Sequence, residues 1–139
     1  MRLVVDASVV SKWFNIEKFS DKAVEVKDAF VSGALELAAP IHIIYEVGNS
    51  IWRNRQLREE DASDAITSLI RIGLQLLMPD MVRARRAMEI ARLKKITFYD
   101  ATYLQAAEEL KTALLTADES QMIAGEDFVK TIHLSEVKI

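Results

Sequence analysis

The chain opens with Met1-Arg2-Leu3-Val4-Val5-Asp6-Ala7-Ser8, and this stretch decides the fold. A short apolar, β-branched run ends abruptly at Asp6, and large apolar residues then recur at helical spacing, namely Val9, Val10, Trp13 and Phe14. The pattern predicts a buried strand, a turn and a helix. Ligands of open parallel sheets bind just outside the carboxyl ends of the strands. Asp6 is therefore either a functional acid or the N-cap of the helix that follows.

The composition indicates one compact intracellular domain. The chain has 139 residues, half of them hydrophobic, with four Gly, two Pro and no Cys, which predicts a single domain over residues 1–139 and excludes a disulfide scaffold or a thiolate metal site. The apolar run before Asp6 is shorter than the roughly 7–15 residues of a secretory core. No apolar run approaches the roughly 18 residues of a membrane span. We therefore expect a cytoplasmic protein without a membrane partner.

Strands alternate with helices along the whole chain. We predict strands over residues 2–5, 35–39, 74–78, 112–116 and 131–134. Helices are predicted over residues 8–14, 20–33, 41–55, 59–72, 80–95, 98–110 and 120–124, with Pro40 suited to a first helical turn and Trp52 on a buried stripe. This order predicts an α/β fold, a three-layer α/β/α sandwich around a central parallel sheet of about five strands.

Four acids stand at informative places, and each also has an ordinary structural explanation. Asp6 and Asp118 follow predicted strands and could simply cap the next helix, while Asp100 with Thr97 resembles a capping box. Glu46 could be a solvated helix residue. However, positions 100, 103, 104 and 107 share a mostly apolar helical face, so Asp100 points toward the protein.

Together, the four acids suggest a metal site. All four would meet at one edge of the sheet, where close carboxylates repel one another unless a cation is present. Oxygen ligands without Cys or clustered His suit Mg²⁺ or Mn²⁺. Such a site is suited to phosphodiester hydrolysis, with the acids as metal ligands and catalytic residues.

The same residues resemble a known family. Val4-Val5-Asp6-Ala7-Ser8, Glu46 with Asn49, Tyr99-Asp100-Ala101-Thr102-Tyr103-Leu104 and Leu114-Leu115-Thr116-Ala117-Asp118 together resemble a PIN domain. The chain length and the Tyr-Asp-Ala-x-Tyr-Leu phrase look most like the VapC toxins of toxin–antitoxin pairs. The resemblance covers about residues 2–134.

The resemblance implies a five-stranded parallel sheet and a Mg²⁺- or Mn²⁺-dependent ribonuclease. It implies that Asp6, Glu46, Asp100 and Asp118 form the acidic quartet of the family, supported by the polar residues Ser8, Asn49 and Thr116. It also implies an RNA substrate, a homodimer and a small cognate antitoxin protein.

Basic and aromatic residues offer further contacts. Lys12 and Arg53 lie nearest the predicted edge and are candidates to bind substrate phosphate. The long basic cluster between Arg83 and Lys95 could also bind RNA, but we favour a solvated surface or intersubunit salt bridges for it. His42 and His133 are interpreted as structural, and Tyr103 as a core residue that could otherwise stack on a base.

Two other functions remain open at this point. A phosphoacceptor domain would want an acidic pair directly after the first strand, whereas Ala7 and Ser8 follow Asp6. A non-catalytic module with the same fold, binding RNA or protein, is not excluded by the sequence.

Overall fold

The computed structural model describes all residues from Met1 to Ile139 and contains one five-stranded parallel sheet. The strands are β1 (Arg2–Val5), β2 (Glu36–Pro40), β3 (Gln75–Leu77), β4 (Ala113–Thr116) and β5 (Thr131–His133). Their order in the sheet is β3-β2-β1-β4-β5. The opening strand is therefore central, with Val4 aligned to Ala38 on one side and Leu114 on the other.

Helices connect the strands. They are α1 (Ala7–Val10), α2 (Ser20–Val31), α3 (Ile43–Arg53), α4 (Glu59–Arg71), α5 (Met81–Lys94), α6 (Phe98–Leu110) and α7 (Glu119–Gly125), with 3₁₀ turns at Ser11–Trp13 and Leu134–Glu136. Val4, Val5, Leu114 and Leu115 in the central strands are fully buried. Strands buried on both faces require helices on both sides of the sheet, so the predicted α/β/α architecture is confirmed. No helix is both long and apolar enough to cross a membrane.

Local signals in the sequence fix several helix ends. The side chain of Asp80 accepts a hydrogen bond from the Arg83 amide at 2.8 Å and begins α5. Thr97 begins α6 in the same way, accepting from the Asp100 amide at 3.1 Å. Gly33, with φ of 83°, occupies the left-handed conformation just past α2, where glycine avoids the steric penalty of a Cβ atom.

Pro40 corrects one of our predictions. It is the last residue of β2 and not part of a helical first turn. Pairing of β2 with β1 has already ended at Ala38, and Pro40 aligns only with Leu77 of β3. The amide hydrogen that proline lacks is therefore not needed by the ladder on the β1 side.

Trp52 corrects a second prediction. Its side chain is 76% exposed, whereas Ile43, Val47 and Ile51 form the buried stripe of α3. Those three residues recur every four positions, and Trp52 is rotated about 100° from Ile51 around the helix axis. Trp13, by contrast, packs against the core and donates its indole N–H to the carbonyl of Ala23 at 2.9 Å.

Candidate active site

The four predicted acids are carried by four different elements at one edge of the sheet. Asp6 directly follows β1. Asp118 follows β4, which is the strand next to β1 in the sheet. Glu46 and Asp100 lie in the first turns of α3 and α6. The carboxyl ends of parallel strands meet on one side of a sheet, so this topology brings the acids together.

Asp6 is the most buried of the four acids. It caps α1, accepting from the Ser8 amide at 3.1 Å and from the Ser8 hydroxyl at 2.5 Å. Its other oxygen accepts from the Thr116 hydroxyl at 2.5 Å. Burial is the main cause that raises the pKa of Asp6 from 3.8 to about 6, and the charge of Asp118 also raises it. The hydrogen bonds from Ser8 and Thr116 lower this pKa and only partly offset the increase. Asp6 therefore caps α1 and also lies at the edge of the sheet with the other three acids, so its two predicted roles are compatible.

Ser8 and Thr116 join β1 to β4 around that carboxylate. The Ser8 hydroxyl accepts from the Ala117 amide at 2.8 Å, and Thr116 Oγ1 accepts from the Asp118 amide at 3.0 Å. Thr116 is fully buried. Both hydroxyl groups thus donate to Asp6 while holding the start of the loop that carries Asp118.

Asp118 is the exposed member of the group. It caps α7 by accepting from the Ser120 amide at 2.9 Å and from the Ser120 hydroxyl at 2.7 Å, both through Oδ1. The structure gives Oδ2 no hydrogen bond. One oxygen of Asp118 therefore orders the helix, and the other is available to a ligand.

Glu46 is held by two aromatic side chains. The Tyr103 hydroxyl donates to Glu46 Oε1 at 2.7 Å, and His42 Nδ1 lies 2.6 Å from the same oxygen. Burial raises the pKa of Tyr103 well above 10.0, and the charge of Glu46 reinforces this, so the phenol remains a donor.

The hydrogen positions on His42 follow from its neighbours. The Thr102 hydroxyl donates to the carbonyl of Tyr99 at 2.6 Å, so Thr102 Oγ1 accepts from His42 Nε2 at 2.6 Å. The Nδ1 atom is buried and lies close to Glu46 Oε1 without the alignment of a hydrogen bond.

Asp100 completes the group. Burial raises its pKa, and the charges of Asp118 and Glu46 raise it further, while Thr97 and His42 act in the opposite direction. The Asp100 carbonyl also accepts from Gln121 Nε2 at 3.0 Å, which ties α6 to α7. Asp118 thus acts on both Asp6 and Asp100, and Glu46 acts on Asp100, so the four carboxylates share one negative field.

The donor chemistry of this field fits a divalent cation. All four groups offer carboxylate oxygens, and a cation would favour the charged forms of Asp6 and Asp100, whose pKa values are raised mainly by burial and further by neighbouring carboxylates. No group of three or more His, Asp and Glu side chains is spaced to hold one ion. The carboxylates are instead arranged with their own hydrogen-bond partners, Asp6 with Ser8 and Thr116, and Glu46 with Tyr103.

Three other predicted site residues lie outside these contacts. Asn49 is exposed and has no hydrogen bond to any of the acids. Lys12 pairs with Glu17 at 3.0 Å. Arg53 lines a shallow concavity at the end of α3 with Asn15 and Ser50. The structure therefore leaves their functional roles as predictions.

Two residues enter the site in ways that the sequence interpretation missed. His42 was interpreted as structural, yet it contacts Glu46, and its ring lies edge-on to those of Tyr99 and Tyr103 at 5.2 Å. The spacing of His42 and Glu46, four positions apart at a helix start, was the available signal. Tyr103 is a core residue as predicted, but the hydrogen bond from its hydroxyl to Glu46 was not predicted.

Comparisons with known proteins identify the family of this chain. The PIN domain family model matches residues 3–124. Ribonuclease VapC3 of Pyrobaculum aerophilum is 33% identical over 122 residues, covering 85% of this chain and 90% of that protein. Exonuclease VapC9 of the same organism is 30% identical over 84 residues, covering 60% of this chain and 63% of that protein. The crystal structure of Mycobacterium tuberculosis VapC20, described as a Sarcin-Ricin loop cleaving toxin, superposes with a TM-score of 0.68 at 20% identity, covering 92% and 97% of the two chains.

Proposed function

The chain belongs to the PIN-domain family, and from this premise we propose that it is a divalent-metal-dependent endoribonuclease and the toxin of a toxin–antitoxin pair. The observation that carries the proposal is the shared field of Asp6, Glu46, Asp100 and Asp118 at the carboxyl edge of the sheet. Hydrolysis of an RNA phosphodiester places additional negative charge at such a site, which only a cation can balance.

The four acids are the proposed ligands of Mg²⁺ or Mn²⁺. When bound, such an ion supplies activation of water and neutralisation of the phosphate charge. Asp6 and Asp118 each keep one oxygen on a helix cap, which fixes the direction of the other oxygen. Ser8 and Thr116 hold the Asp6 carboxylate in place through their hydroxyl groups.

Glu46 has a different environment and a different proposed role. Two groups converge on its Oε1, from Tyr103 and His42, while its side chain stays 36% exposed. Glu46 therefore faces the site with one oxygen anchored and can hold a proton from the attacking water at the other. The products would carry a 5′-phosphate and a 3′-hydroxyl.

The toxin role rests on the resemblance of the motifs and chain length to VapC toxins. A toxin of this kind needs a small cognate antitoxin protein, and we propose that the chain forms a homodimer in solution. Induction of the chain alone in a bacterial host should arrest growth, and the Asp6→Asn variant should not. Light scattering on the purified protein measures its oligomeric state.

A circular single-stranded RNA provides the sharpest test of the activity, since only an endonuclease can cut it. One of the two relatives is named an exonuclease, so the substrate must lack ends. We expect cleavage with Mg²⁺ or Mn²⁺, none with EDTA, and at least a hundredfold loss in Asp6→Asn and Asp100→Asn. Asp64→Asn, at an exposed acid on α4, is the matched control.

Four outcomes would contradict the proposal. Cleavage in EDTA would show that the reaction needs no metal. Full activity of both acid variants would show that the reaction does not depend on the four acids. RNA binding without cleavage under any metal condition would favour the non-catalytic module with the same fold. Cleavage of linear but not circular RNA would assign an exonuclease.

A further inference from the structure

A cavity lies beside the acids at the same edge of the sheet. It has a volume of about 180 Å³ and is lined by the last residues of β2 and β3, Pro40 and Leu77, and by α5 and α6. An apolar cavity of about 150 Å³ can admit a benzene ring. The space is therefore sufficient for one six-membered aromatic ring.

The walls of the cavity are mainly apolar and aromatic. His42, Phe98 and Tyr99 contribute rings, with the His42 and Tyr99 ring centroids 5.2 Å apart in an edge-on arrangement. Tyr99 is 61% exposed and Phe98 39%, beside Met78 at 56%. Large apolar groups clustered in the open around a cavity indicate a binding site.

Polar groups in the walls are already engaged within the protein. The Arg83 guanidinium is bound to both carboxylate oxygens of Glu109 and to the Met78 carbonyl. Gln105 Nε2 donates to Glu109 at 3.1 Å. The Thr102 hydroxyl donates to the Tyr99 carbonyl at 2.6 Å. A ligand would therefore be bound by shape and ring contact more than by hydrogen bonds.

His42 connects the cavity to the acids. His42 lines the cavity, while its Nδ1 atom lies 2.6 Å from the carboxylate of Glu46. Tyr99, another lining residue, directly precedes Asp100 in the chain. The cavity is thus lined by residues that contact or adjoin two of the four acids.

We infer that this cavity receives one nucleobase of the RNA strand, next to the phosphodiester that is cleaved. The inference rests on the proposed ribonuclease function and adds a base-binding subsite to it. Unpaired RNA bases are splayed out and stack on aromatic side chains, and such contacts tolerate different bases. Because the polar groups of the walls are already engaged, we expect the base to be selected by the size and shape of its ring and not by hydrogen bonds.

Filling the cavity tests the inference. Ala84 lines the cavity from α5, a helix that carries none of the four acids, so Ala84→Met reduces the space while leaving all four acids unchanged. The probe is a mixed-sequence, ten-nucleotide single-stranded RNA, whose binding is measured in EDTA by fluorescence anisotropy. We expect roughly tenfold weaker binding, the usual effect of losing one stacked base. Ala34→Met, at an exposed turn before β2, adds the same side chain far from the cavity and should bind normally.

Phe98→Ala provides a second test of the cavity. It removes an aromatic ring from the cavity wall, whereas Ala84→Met fills the space. It should also weaken binding several-fold, and its side chain is exposed enough for the fold to tolerate the change. Thermal unfolding verifies that each variant is folded, and if Ala84→Met does not fold, Phe98→Ala decides alone.

A strand without bases tests whether a base fills the cavity. A ten-nucleotide RNA in which every residue is abasic should bind the wild type and Ala84→Met equally, because neither protein can then place a base in the cavity. Equal affinity of wild type, Ala84→Met and Phe98→Ala for the mixed-sequence RNA would overturn the inference, including the case in which the cavity serves a protein partner. If the wild type still cleaves RNA in that case, the ribonuclease proposal survives and only the subsite fails.

Discussion

Tyr103 and Glu46 lie 57 positions apart in the chain, yet the Tyr103 hydroxyl donates to Glu46 Oε1 at 2.7 Å. The tyrosine ring is in the core of the protein, only 1% exposed, whereas the glutamate side chain is 36% exposed. The hydrogen bond therefore anchors a carboxylate of the open site to the rigid interior. This relationship makes Tyr103 a positioning residue for Glu46.

Tyr103→Phe should separate positioning from folding. The variant keeps the buried ring and removes only the donor, and a hydrogen bond to a charged group contributes roughly 1.5–3 kcal/mol. We expect kcat for RNA cleavage to fall about tenfold or more with KM little changed, because Glu46 loses its fixed orientation. Tyr45→Phe, at a 79% exposed tyrosine one residue before Glu46, is the control. A kcat equal to that of Tyr45→Phe would mean that the phenol has no role in the reaction.

Asp6 makes the stability of the protein depend on pH in an unusual direction. Its pKa is about 6 in the folded state against 3.8 for a free carboxyl, so the folded state binds the proton more tightly. The favourable contribution of protonated Asp6 to the free energy of unfolding is therefore fully present below pH 3.8 and is lost as pH rises through 6. Each pKa unit corresponds to ~1.4 kcal/mol, so the loss is of order 2–3 kcal/mol.

Denaturant unfolding in EDTA at several pH values measures this effect. Asp6→Asn cannot ionise, so its stability relative to the wild type should increase by about 2–3 kcal/mol between pH 4 and pH 7. The difference between the two proteins cancels the contribution of all other acids. A difference that stays constant over this range would show that Asp6 titrates alike in both states.

Thr116→Val tests the hydroxyl that joins the two central strands. Valine has nearly the same shape, but it removes the donor to Asp6 and the acceptor for the Asp118 amide. Leaving such buried groups unsatisfied destabilises a protein by roughly 1–3 kcal/mol. We expect a loss of that size in urea unfolding, with RNA cleavage reduced at least tenfold. Thr67→Val, at an exposed threonine of α4, should change neither quantity.

Periodicity predicted the elements and the acids because both are local signals. The alternation of strands and helices gave the parallel sheet, and the caps at Asp6, Thr97 and Asp118 are readable from a few neighbouring residues. The apolar face of α6 was also predicted, and the structure places Tyr103 and Leu104 of that face in the core, while Asp100 at its start is only partly buried.

Contacts between distant elements could not be predicted in this way. Glu46 alone gives no sign that a tyrosine on α6 will reach it. The partners of the basic residues on α5 could not be predicted either. Only the fold shows that Arg83 and Arg86 form ion pairs with Glu109 and Glu108 on α6. Trp52 shows the limit of periodicity itself. The sequence pattern allows both Ile51 and Trp52 on the buried face of α3, but in the structure only Ile51 is buried.

Metal binding should stabilise the protein through its acids. A ligand at a hundred times its Kd adds ~2.7 kcal/mol to the free energy of unfolding, so saturating Mn²⁺ should raise Tm by several degrees. Asp118→Asn should show much less of this increase, because it removes the carboxylate whose charge acts on both Asp6 and Asp100. Differential scanning fluorimetry with EDTA and Mn²⁺ measures it, with Asp64→Asn as the control. An equal increase in wild type and Asp118→Asn would place the ion elsewhere.

Arg53 and Arg86 should differ in their effect on RNA binding. Arg86 binds Glu108 and Glu89 at 3.0 Å, so its charge is balanced within the protein. Arg53 is exposed beside a concavity at the end of α3 and has no ion pair. Arg53→Gln should therefore weaken binding of single-stranded RNA and reduce the slope of log K against log salt by about one, as expected for the loss of one phosphate contact. Arg86→Gln should leave that slope unchanged, and a slope reduced by Arg86→Gln but not by Arg53→Gln would move the RNA path onto α5.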